Sequence, residues 1–461
     1  MKALAAFLPS LVELKGRAKL NSPPMSIYYL KSIINNIDDV SCEVLDPQEH
    51  ILKIFLKNCK NVQKIHDTII NTFISKIDDF DVVLFSCNTF NWASTKIIIE
   101  AIKNYDPDKK IILGGIHASY YYKHIMKTLP VDFIITGLEM NSVIEVFDYL
   151  KGNSNMTFSS NIITKNNHQT STYNPLKNTE KFSPSILPDF STISLNHLYQ
   201  FIPIQASVGC QNGCLFCSIM AKHNWEEVDT EIIIKNMSYI IENYGQRFIE
   251  KSILFTDDCF TTDVNRSIDI LNKCHSAFPS YTYFIEARVN DIVKSNLLET
   301  IPADIIKGIQ VGVECGYDEG LKKIFKGTTV DNLLKCCEKI KANGYKDKVM
   351  LSFIIGFPWE YKKEIDMTLD TIEKITLEYD IHCNINYLIL LPSKLWEKKE
   401  DYGIKCSESV FDKLECFEKN DFFNLSHPNL DYETLVHVKD RISYMMSKGL
   451  KVTLQSDHLS L

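Results

Sequence analysis

The sequence predicts an α/β protein built from two parallel-sheet domains, and three observations carry that expectation. Residues 1–150 alternate short apolar runs with helical patterns, as a doubly wound, Rossmann-like sheet does, with its ligand crevice beyond the carboxyl ends of the strands. From residue 199 to 392 a strand followed by a helix recurs about six times, which predicts a partial (β/α)6 barrel of the TIM type. Residues 151–198, rich in Asn, Ser and Thr, read as a linker, and residues 393–461 as a small, mainly helical C-terminal cap.

Taken in order, Lys2 to Leu8 is the first strand. Helical periodicity from Ser26 to Ile37 follows Pro23-Pro24, a favourable helix start. Cys42 to Leu45 is the second strand, and residues 51–77 are mostly helical. Asp81 to Ser86 is a buried strand, its centre Val82 to Phe85 a continuous apolar run, with a helix from about Ser94 to Tyr105 behind it. Lys110 to Gly115 ends in a glycine turn, Val131 to Gly137 is the fifth strand, and a helix spans Asn141 to Leu150. In the barrel, strands are expected at Phe201–Ile204, Lys251–Thr256, Tyr283–Arg288, Gln310–Glu314, Val349–Gly356 and Ile385–Leu390. Asp229 and Thr230 cap a helix running to about Tyr244. Ile365, Leu369, Ile372 and Ile375 mark the apolar face of the helix after the fifth strand. The tail has helical stretches at Val410–Lys419 and Tyr432–Lys448.

A chain of 461 residues can hold two or three domains with cores of their own. The net charge of −8 and the lack of a long basic run argue against a nucleic-acid surface. No apolar stretch approaches a membrane span, and the segment from Met1 to Pro9 is too short for a secretion signal, so a cytoplasmic protein with no membrane partner is expected. The 14 cysteines then point to reduced thiols, not to a disulfide framework.

The chemistry concentrates in Ser207-Val208-Gly209-Cys210-Gln211-Asn212-Gly213-Cys214-Leu215-Phe216-Cys217. Three thiolates on one short loop can hold three corners of an iron–sulfur cube and leave the fourth iron open. On spacing alone two other readings stand. One is a zinc site completed by His223; the other is a set of inert buried cysteines.

Cys-x-x-x-Cys-x-x-Cys with an aromatic residue before the last cysteine resembles the signature of the radical S-adenosylmethionine (SAM) superfamily. Three later blocks agree with it: Asp257-Asp258, Gly312-Val313-Glu314-Cys315-Gly316 followed by Lys326-Gly327, and the segment Ser352 to Glu360. The resemblance implies a 4Fe–4S cluster on Cys210, Cys214 and Cys217, with SAM chelating the open iron. It places Phe216 and Ile355 near the adenine, Asp257 and Asp258 on the SAM ammonium, and Glu314 beside the SAM site. Glu286 and Arg288 also belong to the barrel top, alternation leaving open which of them faces inward. Read as residues alone, Asp257-Asp258 is equally a helix cap and Glu314 a buried partner of Arg288. Cys315 is either a hydrogen-atom donor or a small buried residue.

The first domain resembles the cobalamin-binding domain that precedes many radical SAM enzymes, in Pro23-Pro24, in Gly114-Gly115-Ile116-His117-Ala118, and in Val131-Asp132 through Gly137-Leu138-Glu139. The resemblance implies cobalamin contacts from Ser86, Asn88, Trp92, Gly114, Gly115, His117, Gly137 and Glu139. The Asp-x-His-x-x-Gly motif that carries a cobalt-ligating histidine is absent. No histidine precedes His50, so no protein imidazole is expected below the metal. A sheet of this type does not dictate its ligand, and on the residues alone Gly114-Gly115 is equally a strand-end turn and His117 a solvated loop side chain.

Together these resemblances imply a 4Fe–4S cluster, SAM and cobalamin in an oxygen-sensitive enzyme. Its expected activity is C-methylation of an unactivated carbon of a small natural product, amino-acid derivative or peptide. A one-electron reductant such as flavodoxin or ferredoxin would serve it. Alternatives are ring contraction or cyclisation without methyl transfer, a radical SAM enzyme whose first domain binds no corrin, and a zinc scaffold without catalysis. Methylthio transfer is disfavoured, because residues 1–150 lack a second set of cluster-spaced cysteines. A second cluster in the tail is not expected either, since Cys406 and Cys416 have no clustered third cysteine.

Overall fold

A computed structural model describes residues 1–8, 19–48, 62–137, 140–153, 157–171, 186–196, 199–219, 224–413 and 427–455, the side chains of 62–65 and 455 excepted. The chain divides into two units. One comprises residues 1–200 with 240–249 and 407–417, the other residues 201–239 with 250–406 and 418–461.

In the first unit, β1 (Lys2–Ala6), β2 (Ser41–Leu45), β3 (Val82–Ser86), β4 (Lys110–Gly114) and β5 (Phe133–Ile135) form a parallel sheet in the order β2-β1-β3-β4-β5. β6 (Ile162–Ile163) adds an antiparallel edge beside β5. The order reverses between β1 and β3, and a crevice at such a switch point is where open α/β sheets take ligands. Ala3 to Ala6 and Val82 to Phe85 are all buried, as expected of strands covered by helices on both faces. The connections are α1 (Met25–Asn35), α2 (Val62–Ile74), α3 (Trp92–Tyr105), α4 (Ile116–Thr128) and α5 (Asn141–Leu150). The expected glycine turn after β4 is in fact the entry to α4, with Gly115 as its cap.

In the second unit, β7 (Ile202–Ile204), β10 (Ser252–Phe255), β11 (Thr282–Arg288), β12 (Ile306–Glu314), β13 (Val349–Ile355) and β14 (His382–Tyr387) lie side by side in chain order, all parallel. A short antiparallel pair, β8 (Ser207–Val208) and β9 (Glu226–Glu227), flanks the cysteine loop. β15 (Val452–Gln455) adds a seventh parallel strand against β14, a strand not expected from the sequence in an otherwise mainly helical cap. Four residues behind Gly449 are too few to read as a strand until a partner edge is known. The helices begin on side-chain caps: Asp229 accepts from the Glu231 N–H at 2.8 Å ahead of α6 (Thr230–Tyr244), and Asp263 from the Arg266 N–H at 3.0 Å ahead of α7 (Val264–Ala277). Ile365, Leu369, Ile372 and Ile375 are fully buried on α8 (Lys362–Tyr379). α9 (Tyr432–Ser447) realises one of the two helices expected in the tail. The other is a short turn at Glu408–Asp412, residues 414–419 lying outside the described residues.

Strand alternation decides which residues line the barrel. Tyr283, Ile285 and Ala287 on β11, Leu351, Phe353 and Ile355 on β13, and Cys383 and Ile385 on β14 are buried beneath the helices. The intervening residues turn to the inner side. Register sets them in rows, Glu286–Gln310–Met350–His382 and then Arg288–Gly312–Ser352–Asn384. Among the described residues no helix is long and apolar enough to cross a membrane.

Candidate functional site

The cysteine loop leaves β8 through Gly209, whose φ is +80°. Cys210 and Cys214 are buried and Cys217 is half-buried. Backbone bonds fix the loop from two sides: the Leu215 N–H donates to Ile324 O at 3.0 Å, and Leu215 O accepts from the Leu395 N–H at 2.9 Å. Asn212 Nδ2 donates to Cys210 Sγ at 3.4 Å.

The acidic pair after β10 braces this loop and caps no helix. Asp257, 3% exposed, accepts from the Ala206 N–H at 3.0 Å and from the Ser207 hydroxyl. Asp258 accepts from the Gly209 N–H at 3.1 Å. Burial pushes both carboxyls up to about 6, while Ser207 and Ala206 pull Asp257 back. Glu286 lies across the inner side, pushed up to about 7, first by desolvation and then by the charges of Asp258 and Glu314. Arg288 shares its face, because residues two apart in a strand point the same way. The question of which one faces inward therefore has the answer that both do. The Arg288 guanidinium donates to Asn212 Oδ1 and to Lys326 O.

Glu314 pairs with Lys326, at 2.8 Å with both side chains nearly buried, and not with Arg288. Burial works against the Lys326 ammonium, but Glu314 and the Cys214 sulfur outweigh it and hold its pKa above the ordinary lysine value. The β12–β13 register slips between Gly312 and Glu314, and Glu314 adopts φ +76°, a strain of about 1–3 kcal/mol for a residue with a side chain. A Cβ at Gly312 would lie 2.7 Å from Glu314 Oε1 and 2.9 Å from Lys326 Nζ, so glycine makes room for the ion pair. Cys315 is fully buried, which pushes its thiol far up and away from thiolate chemistry.

At the end of β13, Phe216 meets Phe357 edge-on at 5.8 Å, and Phe357 stacks on Trp359 at 5.1 Å. Ile355 belongs to the helix-facing set and its carbonyl accepts from the Leu388 N–H at 2.8 Å, leaving Ile354 on the inner side. Glu360, inside a block the sequence singled out but with no role given to it, is fully buried. It accepts from the Gly356 N–H at 2.7 Å, the Phe357 N–H at 2.9 Å and the Tyr317 hydroxyl at 3.0 Å. Burial pushes its carboxyl from 4.5 up to about 7. A carboxyl raised in the folded state contributes stability that is fully present below about pH 4.5 and lost as pH rises through about 7. Across that window the wild type should lose about 3 kcal/mol that Glu360→Gln does not lose, measured by denaturant unfolding at several pH values. Identical pH profiles for the two proteins would show that Glu360 titrates normally.

In the first unit, Ser86, Gly114 and Gly137 lie at or just past the carboxyl ends of β3, β4 and β5, with Ser86 opposite Gly114. Asn88 is committed to its own turn: it donates its N–H to Asn91 Oδ1 at 2.9 Å, and its Oδ1 accepts from the Asn91 N–H at 3.0 Å. The Gly137 N–H donates to Ser119 Oγ at 3.0 Å. Gly115, at φ +94°, packs against the Cys87 backbone. His117 is no solvated loop residue. It stacks on Trp92 at 4.6 Å, both rings are 1% exposed, and Tyr121 and Phe411 close on it edge-on. Burial holds its imidazole well below the ordinary value. Glu139 lies outside the described residues. One contributor went unread in the sequence: Asp412 accepts from Trp92 Nε1–H at 2.8 Å and pairs with Lys96 at 3.3 Å and His124 at 3.2 Å. A contact spanning 320 positions leaves no local signal.

A tetrahedral zinc needs ligands converging within about 2.3 Å of one point. Among the described residues no three of His, Cys, Asp and Glu do so, and His223 lies outside them. Cluster thiolates each bind a separate iron, so three thiols along one loop fit a cube. The corrin set fits in part: Ser86, Gly114 and Gly137 line the carboxyl edge of the sheet, whereas His117, sealed among aromatic rings, is not presented as a metal ligand.

Two family models match the chain: the radical SAM superfamily over residues 204–372 and a B12 binding domain over residues 14–146. The chain is 23% identical over 407 residues to an uncharacterized methyltransferase of Pyrococcus horikoshii, covering 86% of this chain and 83% of that protein. It is 24% identical over 296 residues to a tRNA-2-methylthio-N(6)-dimethylallyladenosine synthase of a Sulfurovum species, covering 59% of each. Its fold is similar to that of the radical SAM methyltransferase TsrM from Kitasatospora setae with cobalamin and a 4Fe–4S cluster bound. There the TM-score is 0.65 at 12% identity, over 96% of this chain and 91% of that one. A second TsrM structure, with tryptophan substrate and the SAM analog aza-SAM, gives a TM-score of 0.62 at 12% identity, over 88% and 77%.

Proposed function

We propose that this chain, which belongs to the radical SAM enzymes carrying a B12-binding domain, is a C-methyltransferase acting on an unactivated carbon of a small molecule or peptide. The observation that carries the proposal is the presence of both domains in one polypeptide, together with a methyltransferase among its relatives. The cofactors are a 4Fe–4S cluster, SAM and cobalamin, which when bound supply a 5′-deoxyadenosyl radical to remove hydrogen and a methyl group to replace it.

The chain's own residues hold and orient these groups. Cys210, Cys214 and Cys217 hold the cluster, with the Lys326 ammonium beside Cys214 compensating thiolate charge. Asp258, more exposed than Asp257, offers its carboxylate to the SAM ammonium, while Asp257 holds the loop start. Phe216 and Phe357 give an apolar wall for the adenine. Glu286, when ionised, adds negative charge on the inner side, which favours a sulfonium cation, while the charge of Glu314 is matched by Lys326. Ser86, Gly114 and Gly137 form the edge that receives cobalamin. The tryptophan in one TsrM structure supports an amino-acid-like substrate here. A flavodoxin or ferredoxin is the class of one-electron donor such a cluster calls for. Methylthio transfer has less support, since Cys42 and Cys87, the described cysteines of the first domain, are buried with thiols pushed up to about 12.

The test is anaerobic reconstitution with iron, sulfide and hydroxocobalamin, followed by SAM deuterated in its methyl group. Absorbance should report both chromophores, and the labelled methyl should appear in product. A protein that takes up iron and releases 5′-deoxyadenosine but binds no corrin would leave the radical chemistry standing and remove the methyl transfer.

A further inference from the structure

We infer that Asn212 is a positioning residue for the cluster: its side-chain amide donates an N–H to Cys210 and so raises the potential at which the cluster accepts its electron. This rests on the radical SAM reading for the cluster itself and adds a residue that the cysteine spacing does not name. The contacts are directional. Arg288 can only donate, so the Asn212 oxygen must face the guanidinium, which leaves its nitrogen toward Cys210 Sγ at 3.4 Å. Arg288 is held in turn by Lys326 O, and Lys326 is fixed by Glu314 at 2.8 Å. Turning the amide over would set its NH2 against a cation and strip the sulfur of its donor.

The physics follows from where the electron goes. One-electron reduction adds negative charge to the cluster and its thiolates. An N–H aimed at a ligand sulfur stabilises that form more than the oxidised one, and such bonds are among the terms that set cluster potentials. Asp257, Asp258 and Glu286 lie close enough together to interact and, when ionised, oppose added negative charge, whereas Glu314 is matched by Lys326. The Asn212 donor, with Arg288 and Lys326 behind it, acts against that field.

Asn212→Leu removes the donor at similar volume. Asn212→Asp removes it while keeping an oxygen for Arg288, which separates loss of the donor from loss of the Arg288 contact. The 461-residue protein, reconstituted anaerobically without SAM, is titrated with the reduced cluster followed by electron paramagnetic resonance. At a fixed potential the reduced-to-oxidised ratio should fall about tenfold in Asn212→Leu, which is 59 mV for one electron, and at least as far in Asn212→Asp. Variants that load iron and sulfide like the wild type yet titrate at its potential overturn the inference. Wild-type protein labelled with 15N-asparagine gives a reading independent of any variant. Its reduced cluster should show a hyperfine coupling to one amide nitrogen, and absence of that coupling also overturns the inference. Failure of the wild type to load iron and sulfide would instead overturn the radical SAM reading.

Discussion

Cys214→Ala should leave a folded protein without a working cluster, and release of 5′-deoxyadenosine under a strong reductant should fall by at least about a thousandfold. Cys214 sits mid-loop, one residue before the Leu215 backbone that both anchoring bonds grip, and its sulfur adds to the larger effect of Glu314 in raising the Lys326 pKa. Removing one of three thiolates leaves an iron without a protein ligand, and the cube has no substitute on the loop. Loss of one small buried side chain costs the fold only about 1 kcal/mol, so unfolding would not account for the result. Cys336→Ala is the control: its thiol is buried, pushed up to about 12, and lies in a helix outside the loop. It should keep its iron. If Cys214→Ala also retains iron, sulfide and 5′-deoxyadenosine release, the loop does not hold the cluster.

Gly115→Ala should be the most damaging single methyl in the first domain. The added Cβ would lie 2.3 Å from Cys87 O and 2.8 Å from Cys87 N, backbone atoms that cannot swing away as a side chain would. The position also has φ +94°, where a Cβ is strained in any surroundings. Overpacking and backbone strain together come to about 3–5 kcal/mol. The domain should melt about 10 °C lower and lose cobalamin uptake, read by calorimetry and by absorbance after reconstitution. Gly152→Ala isolates the two terms, since Gly152 shares the positive φ at +110° but has nothing within 4 Å of its Cβ position. It should cost about 1 kcal/mol. Equal losses at the two sites would mean that the Cys87 contact contributes nothing.

Much of the fold is legible in the chain because its elements are local. Parallel strands covered on both faces show as apolar runs such as Val82 to Phe85, and the face of α8 shows as Ile365, Leu369, Ile372 and Ile375. The cysteine loop is legible for the same reason, as all three thiols fall within eight residues. Where the sequence stops short, the missing term is a distant partner. Val452 to Gln455 becomes a strand only against β14, and Asp412 gains its place only from Trp92, Lys96 and His124. Read as residues alone, Glu314 is a buried partner of Arg288, but the register slips at this point of β12 and its partner is Lys326.

The sequence by itself determined the class of chemistry: a loop of three thiolates, acidic and glycine-rich strand ends, and an α/β alternation that puts them at the carboxyl edges of two sheets. Spacing along the backbone is enough for that, since ligand loops and strand periods are set within a few residues. The tertiary structure alone decided how the charges are distributed. It spent Asp257 on the Ala206 backbone and Ser207, sealed His117 among Trp92, Tyr121 and Phe411, and turned Asn212 between Arg288 and Cys210. Those outcomes depend on which desolvated groups meet across the fold, and a buried charge or donor acquires its role only from the partner that compensates it.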